Sequence, residues 1–244
     1  MSDRPPAEIE EPRRLAVLRF RSIATPPDEK WLTSRDVPEK VFDELLNQLF
    51  HGRWLVLTAA QVVRGVEHPD LLPPRGALLT FDGACRTVLH NALPILRKYR
   101  FPAVTFVPTD LVGRTVALDG LDDPITVCTW EELQHLDGHE MSVHSNGATH
   151  RRFYGLHSAQ QEREAVASSE AIEAHVGRPP KLFAYPHGDP GSDPAGAARI
   201  LELAGYRGAF LMGGSVNELP GTDRYRLVRI AVGPDTDLGS VLGA

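Results

Sequence analysis

The chain has 244 residues, a net charge of −6 and a pI near 5.9, with 42% hydrophobic and 24% charged residues. This length suits one α/β core, the mixture excludes wholesale disorder, and the acidic balance supplies no field to gather nucleic acid or anionic lipid. No apolar run approaches the roughly 18 to 20 residues that span a bilayer, and the opening MSDRPPAEIEEPRR is charged and proline-rich, not an apolar leader.

A cytoplasmic protein with a small-molecule or saccharide partner, and with no nucleic acid or membrane partner, is therefore expected; the oligomeric state stays open. Residues 1–13 read as a flexible segment and 14–244 as a single domain. Short apolar or β-branched runs predict strands at 15–21, 54–58, 77–82, 103–107, 140–144, 181–185, 208–212 and 227–232. Between them, amphipathic runs predict helices at 38–50, 87–98, 130–136, 159–176 and 194–204, an alternation that suits a barrel. Thr129 with Glu132, and Ser158 with Gln161, have capping-box spacing, and Gly177 with Pro179 stops the longest helix. Residues 68–74 and 188–191 read as loose, and 112–126 as an insertion or lid. No internal repeat is present.

In α/β barrels, chemistry collects where strands end and loops begin. Asp82 closes the run ALLTF, and an acid there must be hydrogen-bonded, paired or functional, because a bare buried carboxylate is costly. The plainer role is a helix cap for the run starting near Arg86. His144 and His150 flank the turn-forming stretch Ser-Asn-Gly-Ala-Thr, and two imidazoles returned by a turn can bind a divalent ion if a third ligand joins them. His139 is expected to point elsewhere. His187 follows LFAYP, and Arg229 lies within YRLVRI. Cys85 and Cys128 form no CxxC pair; Cys85 follows Asp82 closely, but a small thiol at a strand end is more often packing.

Taken together, LLTFDGACRTVLHNALPILRKYRFPAVTFVPTDLVG, GHEMSVHSNGATHRRF, KLFAYPHGD and GYRGAF resemble the polysaccharide deacetylase (NodB-homology) family, carbohydrate esterase family 4, over roughly residues 14–232. The resemblance implies an α/β fold, a distorted (β/α) barrel, that removes acetyl groups from N-acetylated sugars with a divalent metal such as zinc. It implies Asp82 as general base, since Thr80, Phe81 and Asp82 match the family's Thr-Phe-Asp-Asp-Gly segment. The metal-binding aspartate that should follow is Gly83, and the next two positions are Ala84 and Cys85. Glycine offers a cation nothing.

His150 matches the second metal histidine. The first is His144 when the segment is aligned from GHEMSV and Asn146 when it is aligned from GATHRRF, because the family sets its histidines closer together than 144 and 150. Active relatives commonly carry Tyr-His where this chain has Phe20-Arg21, so Arg21 is expected to bind a substrate carboxylate or phosphate, or a neighbouring Asp. Asn146, Tyr185 and Arg229 complete the expected substrate-binding set, and His187 joins Asp82 in the catalytic one, its neighbourhood supplying an oxyanion N–H.

Two functions follow. In the first, the chain hydrolyses the amide of an N-acetylated sugar or sugar-like metabolite, with water or Asp110 standing in for the missing carboxylate. In the second it is a metal-free relative, either a binding module or an enzyme redirected to other chemistry by Asp82, His187 and Arg21, since a shared barrel does not guarantee a shared reaction. Gly83 discriminates between them.

Overall fold

The computed structural model describes residues 12–24, 36–117, 124–138 and 140–243. In chain order the first half runs β1 (Arg13–Phe20), β2 (Ser22–Ala24), β3 (Asp36–Pro38), α1 (Glu39–His51), β4 (Leu55–Val56), α2 (Ala59–Glu67), β5 (Arg75–Asp82), α3 (Leu93–Tyr99), β6 (Ala103–Val107), β7 (Thr115–Val116), β8 (Ile125–Thr126) and α4 (Trp130–Asp137). The second half runs β9 (Met141–Ser145), α5 (Ser158–Val176), β10 (Leu182–Ala184), α6 (Pro194–Leu203), β11 (Gly208–Phe210), β12 (Asn217–Leu219), β13 (Ile230–Ala231) and α7 (Leu238–Leu242).

The central sheet has the order β11-β10-β9-β6-β5-β1, parallel throughout, with β12 antiparallel on the outer side of β1 and β4 and β13 as further partners of β5 and β1. Parallel neighbours need crossover helices, and those helices cover the outer face. Alternation along each strand sorts the side chains. On β1, Ala16, Leu18 and Phe20 pack outward with Leu79, Phe81 and Phe42, while Leu15 and Val17 face the lumen with Leu78, Val104, Phe106, Leu182 and Phe210.

The sheet curls, and residues 227–231 cross its open side. Leu227 bridges to Phe210 of β11, and three residues later Ile230 pairs with Leu18 of β1. Leu227 N–H donates to Ala209 O at 3.0 Å, and Val232 N–H donates to Arg19 O at 2.9 Å. Arg229 thereby lies between the two sheet edges, inside the barrel.

The expected strands are present with shifted ends, the longest shortfall being 227–232, of which only Ile230–Ala231 is strand; of 54–58 only Leu55–Val56 is extended. Thr58 instead caps α2, a helix absent from the sequence reading, through a capping box with Gln61. The expected box at Thr129 and Glu132 caps α4. At α5 the cap lies one residue earlier than Ser158: His157 N–H donates to Gln160 Oε1, and Gln161 turns inward to the carbonyls of Phe153 and Leu156. The expected helix 87–98 opens with a π-helical turn at Val88–Ala92 before α3. Residues 112–126 contain the β7/β8 pair, and 118–123 and His139 lie outside the described residues, as does most of the expected N-terminal segment.

Candidate active site at the barrel mouth

Asp82 ends β5, 8% exposed, on the lumen face shared with Leu78 and Thr80. Both its oxygens are taken by arginine. Arg229, fully buried, donates from Nη1 to Oδ1 at 2.6 Å and from Nη2 to Oδ2 at 3.0 Å. Arg19, which falls on the lumen face of β1 by the same alternation as Leu15 and Val17, donates from Nε to Oδ2 at 2.5 Å. Arg229 is itself fixed from behind, its Nε donating to Leu211 O at 2.9 Å and its guanidinium lying over the Phe106 ring.

Burial alone would raise the Asp82 pKa, but the charges of Arg229 and Arg19 and their hydrogen bonds outweigh it and hold the carboxyl well below the usual carboxylate range. Asp82 is thus a permanently ionised group with three guanidinium donors on it. The bifurcated clamp fits the planar fork of arginine and explains why two arginines can be buried here.

Immediately after Asp82 the chain turns through left-handed conformations at Gly83 (φ 80°) and Ala84 (φ 48°), with Gly83 N–H donating to Phe106 O at 2.9 Å. Gly83 suits this turn sterically. It brings no side chain to the mouth.

His144 and His150 are not brought together as expected. His144 is buried, and its Nδ1 accepts from the N–H groups of Lys181 at 3.1 Å and Leu182 at 3.4 Å, at the start of β10 and so toward the N-terminal end of the barrel. Burial, reinforced by Arg178 and Lys181, lowers its pKa to about 3. The physical cause is strand tilt. His144 is in register with Phe106, and Phe106 with Asp82, but in a staggered barrel residues in register around the sheet do not share a height. The residue that reaches the far end of β10 is Asn146, whose Nδ2 donates to Ala184 O at 2.8 Å and whose Oδ1, fully buried, has no partner.

After Asn146 the chain turns at Gly147 (φ 78°), and Glu164 of α5 holds the turn. Its Oε2 accepts from the N–H groups of Ala148 at 2.9 Å and Thr149 at 2.8 Å, and its Oε1 from the Thr149 hydroxyl at 2.5 Å. The sequence reading missed this residue; a glutamate at a buried position of an otherwise amphipathic helix was its only signal.

The clamp presents His150 (φ 63°), whose ring centroid lies 5.0 Å from that of His187 (φ 58°). Non-glycine residues in left-handed backbone are uncommon and gather at functional sites. Gly188 packs so closely on Met212 that a Cβ there would lie 2.1 Å from the Met212 Cβ, which fixes the turn carrying His187.

The other expected residues divide. Arg21, 4% exposed, lines a cavity of about 330 Å³ with Arg19 and residues 231–236. Tyr185 packs edge-on against Phe153 and Phe183; its hydroxyl is buried without a partner, and burial raises its pKa. Asp110 is exposed. Cys85 and Cys128 are buried free thiols; the Cys85 sulfur accepts from the Thr87 hydroxyl at 3.3 Å, and burial pushes the Cys128 thiol up to about 12, so Cys128 is not arranged as a nucleophile.

The residues present do not fit the metal implied by the family resemblance. Gly83 has no donor atom, His144 points to the other end, and both Asp82 oxygens are occupied by guanidinium groups. Asn146 Oδ1 and His150 remain, and among the described residues no group of three or more His, Cys, Asp or Glu is placed to hold an ion.

Residues 72–209 match the polysaccharide deacetylase family model, and the chain belongs to that family. It is similar to the Bacillus subtilis (strain 168) protein YxkH, whose name places it among the polysaccharide deacetylases, with 25% identity over 97% of this chain and 77% of that one. It is also similar to the poly-beta-1,6-N-acetyl-D-glucosamine N-deacetylase of Staphylococcus epidermidis, with 24% identity over 67% of this chain and 56% of the relative. In three dimensions it resembles the Streptococcus pyogenes deacetylase PplD (TM-score 0.79, 20% identity, 92% of this chain and 94% of that one) and IcaB from Ammonifex degensii (TM-score 0.76, 23% identity, 91% and 93%). The expected α/β barrel of the deacetylase type is borne out, and at the level of the family so is the expected de-N-acetylation of a sugar.

Proposed function

We propose that this chain removes the acetyl group from an N-acetylated glucosamine unit seated in the barrel mouth, by a route that does not use the family's metal seat. The observation that carries this reading is the pair of imidazoles, His150 and His187, both in left-handed backbone, with ring centroids 5.0 Å apart and ring planes inclined at 46°. Asp82 makes a poor base with three guanidinium hydrogen bonds on it, because proton transfer is efficient only when the acceptor's pKa lies near the working pH. Its role is to hold Arg19 and Arg229, and Arg21 beside them faces the sugar.

In this reading, an imidazole takes the proton of the attacking water as its oxygen bonds to the amide carbon. The backbone N–H beside Pro186 receives the developing oxyanion, and the proton passes to the departing amine, giving acetate and free glucosamine nitrogen. Tyr185 supports the turn from below. Asn146 Oδ1 accepts from a sugar N–H or hydroxyl.

A second reading, sugar binding without turnover, is favoured by the capture of both Asp82 oxygens. Amine release from short β-1,6-linked N-acetylglucosamine oligomers, followed in wild type and in His150→Ala and His187→Ala, separates the two. Hydrolysis predicts steady release that falls at least 100-fold in either variant. Saturable binding of the oligomer with no amine released leaves the second reading standing and removes the first.

A further inference from the structure

We infer that Glu164 of α5 is a positioning residue for the deacetylation proposed above, setting the spacing of His150 and His187 by holding the turn that carries the first and bracing the turn that carries the second. The inference rests on that reading of the mouth, in which the imidazoles move the proton.

Glu164 lies three residues after Gln161, on the same face of α5, and each is 7% exposed. One helical turn thus presents two buried polar groups to the loops of the mouth. Glu164 spends both oxygens on the segment leading into His150: Oε2 accepts from the N–H groups of Ala148 and Thr149, and Oε1 from the Thr149 hydroxyl. No cation pairs with it among the described residues, so these three donors hold the carboxylate. His150 follows directly, in a left-handed conformation that a residue with a side chain keeps only when its surroundings impose it.

The same helix braces the His187 turn at both ends. A Cβ built on Gly147 would lie 3.1 Å from Glu164 Oε2 and 3.5 Å from Pro186 Cγ, so Gly147 is a thin spacer between the glutamate and the residue that precedes His187. At the other end, Gln161 Nε2 donates to Phe153 O at 3.1 Å and to Leu156 O at 3.2 Å. Gly191 packs on this group, where a Cβ would lie 3.0 Å from Gln161 Nε2 and 3.2 Å from Phe153 O.

The pattern of acceptors fixes what position 164 must supply. Both backbone N–H groups converge on one oxygen, and the other oxygen meets a hydroxyl, which can donate or accept. A glutamine reproduces this, its oxygen taking the two N–H groups and its amide nitrogen donating to the Thr149 hydroxyl oxygen. An alanine reproduces none of it. Position, and not charge, is the contribution.

Two readouts test this: amine release from short β-1,6-linked N-acetylglucosamine oligomers, and the NOE between the His150 and His187 ring protons in histidine-labelled protein, each in wild type, Glu164→Ala and Glu164→Gln. Glu164→Ala should lose about tenfold or more in kcat with KM within about threefold, because misplacing reacting groups costs turnover and not binding, and should lose the ring-to-ring NOE present in wild type. Glu164→Gln should restore both. Wild-type kcat and NOE in Glu164→Ala, or a glutamine variant as impaired as the alanine one, overturns the proposal. If Glu164→Ala fails to fold, Thr149→Val at an exposed position decides: it removes one donor of the three, so a weaker NOE and a several-fold lower kcat are expected, and wild-type values of both overturn the proposal. A wild type that releases no amine sinks the reaction; loss of the NOE in Glu164→Ala then still supports the positioning, and its retention overturns it.

Discussion

Two buried ionisable residues, Asp82 and His144, have folded-state pKa values displaced in the same direction by different causes, and they divide the pH dependence of stability between them. His144 is lowered to about 3 by burial, against an ordinary value near 6.5. A group whose folded pKa is depressed stabilises the fold above its unfolded pKa and loses that contribution as pH falls toward the folded one, so His144 acts from about pH 6.5 down to about 3. Asp82 obeys the same sign from about pH 4 downward, because its ordinary value is near 3.9 and the arginines hold it lower. Denaturant unfolding from pH 7 to 2.5 should therefore show a smaller loss between pH 6.5 and 4 in His144→Phe, and a smaller loss below pH 4 in Asp82→Asn, each relative to wild type. Interchanged windows would refute the assignment. Asp82 was legible in the sequence as a functional or paired acid; that its partners are Arg19 and Arg229 was not, because they reach it from 63 and 147 positions away in the chain.

The elements that shape the mouth are short and held by side chains outside them. The turn after β9 owes its form to Glu164 of α5, which satisfies two backbone N–H groups and a hydroxyl. Glu164→Ala leaves the buried N–H of Ala148 unpaired and removes the acceptor of the Thr149 N–H and hydroxyl. It should cost about 2 to 3 kcal/mol in chemical denaturation and speed amide exchange at those two residues, whereas a loss under about 0.5 kcal/mol would show that the clamp is incidental. The same region shows where sequence reasoning stops. The sequence predicted a strand at 140–144 and left His144 and Asn146 as alternatives at its end; height in a staggered barrel depends on tilt, and the residue reaching the mouth is Asn146. α2 was not assigned in the sequence: β-branched Val62, Val63 and Val66 weaken its helix propensity, and the capping pair Thr58 and Gln61 was its clearest signal.

Across the whole molecule, the barrel was legible because eight short runs alternate with helices, and the family match covers residues 72–209. What sequence left open was how Asp82 is held at a mouth to which Gly83 brings no side chain. The structure answers with charge: Arg19 and Arg229 converge on Asp82, so the remaining anion is neutralised by guanidinium groups from β1 and from the segment that closes the barrel. A site so arranged has no anionic arm to offer a cation. Titration of the chelator-treated protein with zinc is the most direct test. The account predicts no stoichiometric uptake at micromolar zinc, in wild type and in His150→Ala alike; one zinc per chain in wild type, lost in His150→Ala, would contradict it.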